Sequence, residues 1–124
     1  MRHVTVRNET RNTELARAEW RGSTLGRAIG LLGRAGLAPG DGIVIWPCSS
    51  VHMFFMRFAL DVVYVDKERR VVKAVQGLKP WRVSFGGKGA HAAIELPVGA
   101  IAASGTQPGD QLTFDDRADT TVEA

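Results

Sequence analysis

The chain has 124 residues, enough for one domain with one modest core, and its 44% hydrophobic and 23% charged content is that of an ordinary globular protein. Sixteen basic residues against thirteen acidic ones give a net charge of +3, but the cations are scattered along the chain, which argues against nucleic acid as the partner. A single cysteine excludes an internal disulfide, and no apolar run approaches the ~20 residues of a bilayer span.

The start, MRHVTVRNETRNTE, is polar and shows no export leader, so a cytoplasmic location is expected. Residues 1–14 are read as a flexible segment or an edge strand, because Val4 and Val6 alternate with polar residues. Residues 15–20, LARAEW, fit a strand or a helix. The strand is preferred because Arg21-Gly22 stops the pattern abruptly. A helix is predicted over 23–34, with Ser23 as N-cap and Leu25, Ile29 and Leu32 on one face.

Pro39-Gly40 carries the type II turn signature. It launches residues 43–46, IVIW, apolar on both faces and therefore central in a sheet or barrel. Residues 54–58 are read as strand-like, and 62–65 as a second fully apolar strand. Residues 66–69 form a polar hairpin turn, and 71–75 pair back. The stretch 77–89 is read as a long basic loop carrying exposed Trp81 and Phe85. Residues 91–96 form a strand, with Ala92, Ile94 and Leu96 on one face and His91, Ala93 and Glu95 on the other. A short helix is expected over 100–104, then a Pro108-Gly109-Asp110 turn into a last strand over 111–114. Residues 115–124 read as a disordered acidic tail, leaving 15–114 as the single globular domain. Residues 36–45 and 105–114 share the pattern Gly, two residues, Pro-Gly-Asp, then a strand. They are either two uses of a common turn or the halves of a pseudo-repeated barrel.

The candidate chemistry is concentrated in 47–61, PCSSVHMFFMRFALD. Cys48 and His52 are the residue types of a nucleophile and its base. On a continuous strand, however, residues four apart lie about 13 Å from each other, and no third group is fixed to orient them. A small buried thiol explains Cys48 as well. Arg57 and Asp61 are candidates for a partly buried ion pair, or Arg57 for binding a carboxylate. Cys48, His52, Asp61, His91 and Glu95 are zinc-ligand types without a zinc-site spacing. No metal or cofactor is therefore expected. The Gly86-Gly87-Lys88-Gly89 loop lacks the full phosphate-binding pattern.

Four segments in order, GRAIGLLGR (26–34), IVIWPCSSVHMFFMRFALDVVYVD (43–66), LKPWR (78–82) and IELPVGAIAASG…PGDQL (94–112), resemble the bacterial and archaeal family called domain of unknown function 192. The positions that match its motifs are Cys48, His52, Met56, Arg57, Asp61, Trp81, Glu95 and Gly99. Val51-His52-Met53 departs from the frequent Ile-His-Thr, and Ala59 from the usual Pro. The resemblance implies a compact α+β domain: a small, strongly bent antiparallel β-sheet or β-barrel with one main and one short helix. It implies no reaction, because the family has no settled activity. Some members carry export signals or sit beside pilus-assembly or secretion genes.

The resulting expectation is a binding or accessory module for a peptide or small anionic ligand, or for a protein partner, with a link to cell-envelope, pilus or secretion systems implied by the resemblance. Its site would be lined by His52, Phe55, Arg57, Asp61 and Trp81. The alternatives are a hydrolase using Cys48 or His52 with Asp61, and a purely structural subunit.

Overall fold

The computed structural model describes residues 2–22 and 36–115. Among them are nine strands and one short helix: β1 His3–Asn8, β2 Thr13–Arg21, β3 Asp41–Ile45, β4 Ser50–His52, β5 Leu60–Val65, β6 Val71–Leu78, β7 Val83–Phe85, β8 Ala92–Leu96, α1 Ala100–Ser104 and β9 Leu112–Asp115. The main helix expected over 23–34 lies outside the described residues, as does the tail beyond Asp115.

Seven strands form one curled sheet in the order β6-β5-β8-β3-β2-β1-β9. Its two edges meet at one end. There Val71 N–H donates to Asp110 O (2.8 Å), Gly109 N–H to Val71 O (2.8 Å) and Leu112 N–H to Arg69 O (3.0 Å). The sheet is therefore a half-barrel, and the fold is strand-dominated α+β. Two expectations need correction. β1 is an internal strand held between β2 and β9, not an edge. The sheet is also not wholly antiparallel, since β2 and β3 run parallel. A parallel pair needs a long crossover rather than a hairpin, and residues 22–40 supply its length.

The sequence pattern explains which strands are central. β3, β5 and β8 are buried on both faces; the apolar runs 43–46 and 62–65 account for β3 and β5, whereas β8 also buries Glu95. One face, with Val4, Val6, Ala18, Val44, Val63, Ile94 and Leu96, fills the inside of the curl. The other face carries Ile43, Ile45, Val62, Tyr64 and Ala93, and it packs against Val51, Met53 and Leu60. Gly42 lets β3 approach its neighbours. A Cβ there would lie 3.0 Å from Ala16 Cβ and 3.2 Å from Glu95 O.

The two Pro-Gly-Asp turns are alike in backbone and unlike in role. Gly40 and Gly109 have φ of 86° and 95°, and Asp41 and Asp110 donate their N–H to Ala38 O (3.0 Å) and Gln107 O (3.1 Å). Yet β3 enters the centre of the sheet and β9 its edge, and Asp41 is exposed while Asp110 is buried. This favours the common-turn reading over a pseudo-repeat. One Asp110 oxygen accepts hydrogen bonds from Asn8 Nδ2 (2.9 Å), Arg11 Nε (3.1 Å) and Gln107 N–H (3.1 Å).

Burial works to raise the Asp110 pKa. The hydrogen bonds from Asn8, Arg11 and Gln107, and the Arg11 charge, outweigh it and hold the carboxyl below its ordinary 3.8. Lowering it in the folded state means that this stabilisation is complete above the unfolded value and is lost as pH falls through the folded one. Acid titration of the urea midpoint should therefore steepen below about pH 4, and Asp110→Asn should flatten that limb. An unchanged acid limb in the variant would assign the acid sensitivity elsewhere.

Candidate functional site

The stretch 47–61 does not continue as a strand. Only β4 is extended, and residues 54–58 are turn and bend, which corrects the strand expected there. The 77–89 stretch in turn contains β7, which pairs antiparallel with β4: Ser50 opposes Phe85, Val51 opposes Ser84 and His52 opposes Val83. The pair is a small ribbon laid over the second face of the main sheet.

Side chains alternate across such a ribbon. Val51, Met53 and Ser84 point inward and are buried. Tyr64 Oη donates to Ser84 O (3.1 Å) and lies 3.1 Å from Ser84 Oγ. Gly86 sits on the Tyr64 ring, where a Cβ would come within 2.6 Å of Cδ1. Lys73 Nζ donates to Phe85 O at 2.8 Å. The ribbon is thus fastened to β5 and β6 from beneath.

Its outer side is apolar as well. Phe54 (43% exposed), Phe55 (69%), Trp81 (59%), Val83 (46%) and Phe85 (66%) all face solvent. The rings pack on one another: His52 on Phe54 at 5.2 Å, Phe54 near Trp81 at 6.2 Å and Phe55 near Trp81 at 4.8 Å. Met53 ties the two turns together. Its N–H donates to Arg82 O, and its carbonyl accepts from Trp81 N–H, both at 2.8 Å. Phe55 and Trp81 have φ of 64° and 69°. A left-handed conformation costs a residue with a side chain about 1–2 kcal/mol, so both exposed aromatics are held in strained backbone.

Of the expected ligand-binding residues, the structure brings His52, Phe55 and Trp81 into this cluster and leaves Arg57 exposed beside it in sequence. Asp61 is elsewhere. It is fully buried, and its carboxylate accepts from the N–H groups of Gly77 (2.9 Å), Gly99 (3.1 Å) and Ile101 (3.0 Å). Backbone donors, not a guanidinium, account for these hydrogen bonds. Phe54, Val83 and Phe85 were not among the expected site residues. The signal was present as the period-two series Trp81, Val83, Phe85, hidden in a stretch read as loop.

Cys48 and His52 line one open cavity of about 390 Å³ with Pro47, Ser49, Ser50, Ala90 and His91. The Cys48 thiol donates to Ser50 O at 3.0 Å. Cys48 N–H donates to His91 O, and His91 N–H to Val65 O. This cavity therefore lies at the Val65 end of β5, four residues and about 13 Å along the strand from Asp61. Asp61 is fully buried and its carboxylate accepts from three backbone N–H groups, whereas Cys48 and His52 line an open cavity. Glu95 is buried within β8. Among the described residues, no three His, Cys, Asp or Glu side chains come together as a metal site. No described helix is long and apolar enough to cross a membrane.

The profile of the family DUF192, described as "Uncharacterized ACR", matches residues 4–114. An uncharacterised UPF0127 protein of Thermococcus sibiricus is 37% identical over 67 residues, covering 54% of this chain and 43% of its own length. A UPF0127 protein of Pyrococcus abyssi is 36% identical over 66 residues, covering 53% and 56%. The chain thus spans about half the length of these relatives. A protein of unknown function from Novosphingobium aromaticivorans has the same fold, with a TM-score of 0.75 and 24% identity over 90% of this chain and 83% of that one. So does a putative transcription regulator from Sinorhizobium meliloti, with a TM-score of 0.77 and 19% identity over 91% and 92%.

Two outcomes follow from this geometry. Asp61→Asn should lower the urea midpoint by the equivalent of about 2 kcal/mol, because an amide donor would then face buried N–H groups. A variant as stable as the parent would show that the carboxylate is dispensable. Phe55→Gly should be more stable than Phe55→Ala by about 1 kcal/mol, or about 5 °C in Tm. Both lose the ring, but only glycine relaxes the backbone, and equal Tm values would mean that no strain is stored there.

Proposed function

We propose that this chain, which belongs to the DUF192 family, is a docking module that uses the outer face of the β4–β7 ribbon as its contact surface. The observation that carries this reading is the pair Phe55 and Trp81, apolar, exposed and strained together. The turns serve the fold, but the two large apolar side chains they carry stay exposed rather than buried. Their strain is the kind of cost retained where a surface must be presented. Three further apolar side chains extend the same face, and contiguous exposed patches of this kind mark interaction sites.

The partner's chemistry follows from the surroundings. Arg57, Lys79 and Arg82 are exposed in or next to the turns that carry the rings. A partner with apolar groups and negative charge satisfies both features, as a peptide segment with acidic and hydrophobic residues would. The hydrolase alternative loses support from the full burial of Asp61, whose carboxylate is taken up by three backbone N–H groups. Service to an envelope, pilus or secretion system is compatible with a docking module, and it belongs to the same proposal.

The test uses soluble amphiphiles below their micelle concentration, with Trp fluorescence as the signal. Dodecyl phosphate should bind and dodecyltrimethylammonium should not. Phe55→Ser/Trp81→Ser should weaken dodecyl phosphate binding by about tenfold or more, the equivalent of about 1.4 kcal/mol, read by calorimetry because the variant lacks the reporter ring. Equal binding of both amphiphiles, or of parent and variant, would overturn the reading.

A further inference from the structure

We infer that the partner of this face is an anionic phospholipid surface, on which the ribbon seats with Phe54, Phe55 and Trp81 at the headgroup level. The inference rests on the docking reading above and names its partner. Three observations on the same end of the molecule support it.

The first is the distribution of charge. Residues 47–60 and 79–91, which build the ribbon and its turns, contain no Asp or Glu and hold Arg57, Lys79, Arg82 and Lys88. These stretches are thus acid-free in sequence, in a chain whose net charge is only +3. Arg57, Lys73, Lys79 and Arg82 are all exposed, and Lys73 is held at the ribbon by its bond to Phe85 O. Each cation near an anionic leaflet contributes about 1 kcal/mol, so a few together give useful affinity without a shaped pocket.

The second is shape. Phe55 and Trp81 lie in the turns at 53–56 and 79–82, joined through Met53. Both side chains are exposed in these turns. A bilayer interface needs no shaped groove and no strand pairing. It accepts exposed apolar side chains with cations nearby, and Trp in particular favours the headgroup level.

The third is the packing of the rings. His52, Phe54, Trp81 and Phe55 already lie against one another at 4.8–6.2 Å. Faces engaged with their neighbours are poor platforms for stacking separate bases. A preformed apolar cluster suits burial as a unit.

The test is cosedimentation of the full chain with large unilamellar vesicles, either pure phosphatidylcholine or with about three parts in ten phosphatidylglycerol. The protein should sediment with the anionic vesicles and not with the neutral ones. Raising the salt to about 0.5 M should release it, because exposed charges are then screened. Phe55→Ser/Trp81→Ser and Arg57→Glu/Arg82→Glu should each weaken partitioning by about tenfold or more, while circular dichroism and Tm show that both variants remain folded. Soluble glycerol phosphate should not compete, which separates a lipid surface from a free anion. Sedimentation that ignores vesicle charge, or variants that partition like the parent, would overturn the inference. Dodecyl phosphate binding without vesicle binding would overturn it too while leaving the docking reading intact. So would binding of an acidic, hydrophobic peptide without vesicle binding. Failure of both amphiphile and vesicles would remove the two together.

Discussion

The buried carboxylate of Asp61 is the constraint on which much of the fold depends. It sits on β5, one of the doubly buried strands, where an unsatisfied charge would be costly. Its hydrogen bonds reach three places distant in sequence: the end of β6 at Gly77, the turn at Gly99 and the start of α1 at Ile101. Gly77 and Gly99 both have positive φ, and such turns point N–H groups inward only when something accepts from them. One side chain therefore fixes where β6 ends and where the helix begins, and so the point from which β7 must set out. Asp110 plays a similar part at the opposite closure, tying the turn after β1 to the turn before β9.

With the half-barrel held in this way, the β4–β7 ribbon becomes a lid on its second face. Val51 and Met53 fill the space over Tyr64 and Ile45, and the Tyr64 hydroxyl and Gly86 set the depth at which β7 lies. The inner side of the ribbon is thereby committed to the core. The outer side is left with a row of apolar residues that the fold itself does not require. Hydrophobic burial explains Val51 and Met53 but not Phe55, Trp81 and Phe85, which gain little from it at the exposure they keep. Their strained backbone and the acid-free stretches around them in sequence are the features on which the proposed docking surface rests.

The helix-stop and turn chemistry was legible residue by residue. Gly105 ends α1 with φ of 72°, and the Asp66 carboxylate organises its hairpin through the N–H groups of Glu68 and Arg70. The site was legible only in part. His52, Phe55 and Trp81 stood out as aromatics in unusual company, and the structure does bring them together. Val83 and Phe85 were hidden because a three-residue strand framed by glycines carries too short a pattern to separate from a loop. The pairing of Arg57 with Asp61 was a natural expectation from opposite charges four residues apart. It fails as an account of Asp61 because backbone donors from 16 to 40 residues away reach its carboxylate.

What the sequence determined by itself was local. Unbroken apolar runs made β3 and β5 central, alternation set the two faces of β8, and Pro-Gly-Asp placed two turns with the same backbone. These follow from steric limits and side-chain period, which act over a few residues and need no knowledge of the rest of the chain. What only the tertiary structure decided was which segments meet. β1 lies inside the sheet and not at its edge, β2 and β3 run parallel, β4 finds β7 across about thirty intervening residues, and Asp61 and the aromatic cluster part company. Strand neighbours are chosen by the closure of the whole sheet and by the satisfaction of buried polar groups. Those are sums over contacts distant in sequence, and no local pattern records them.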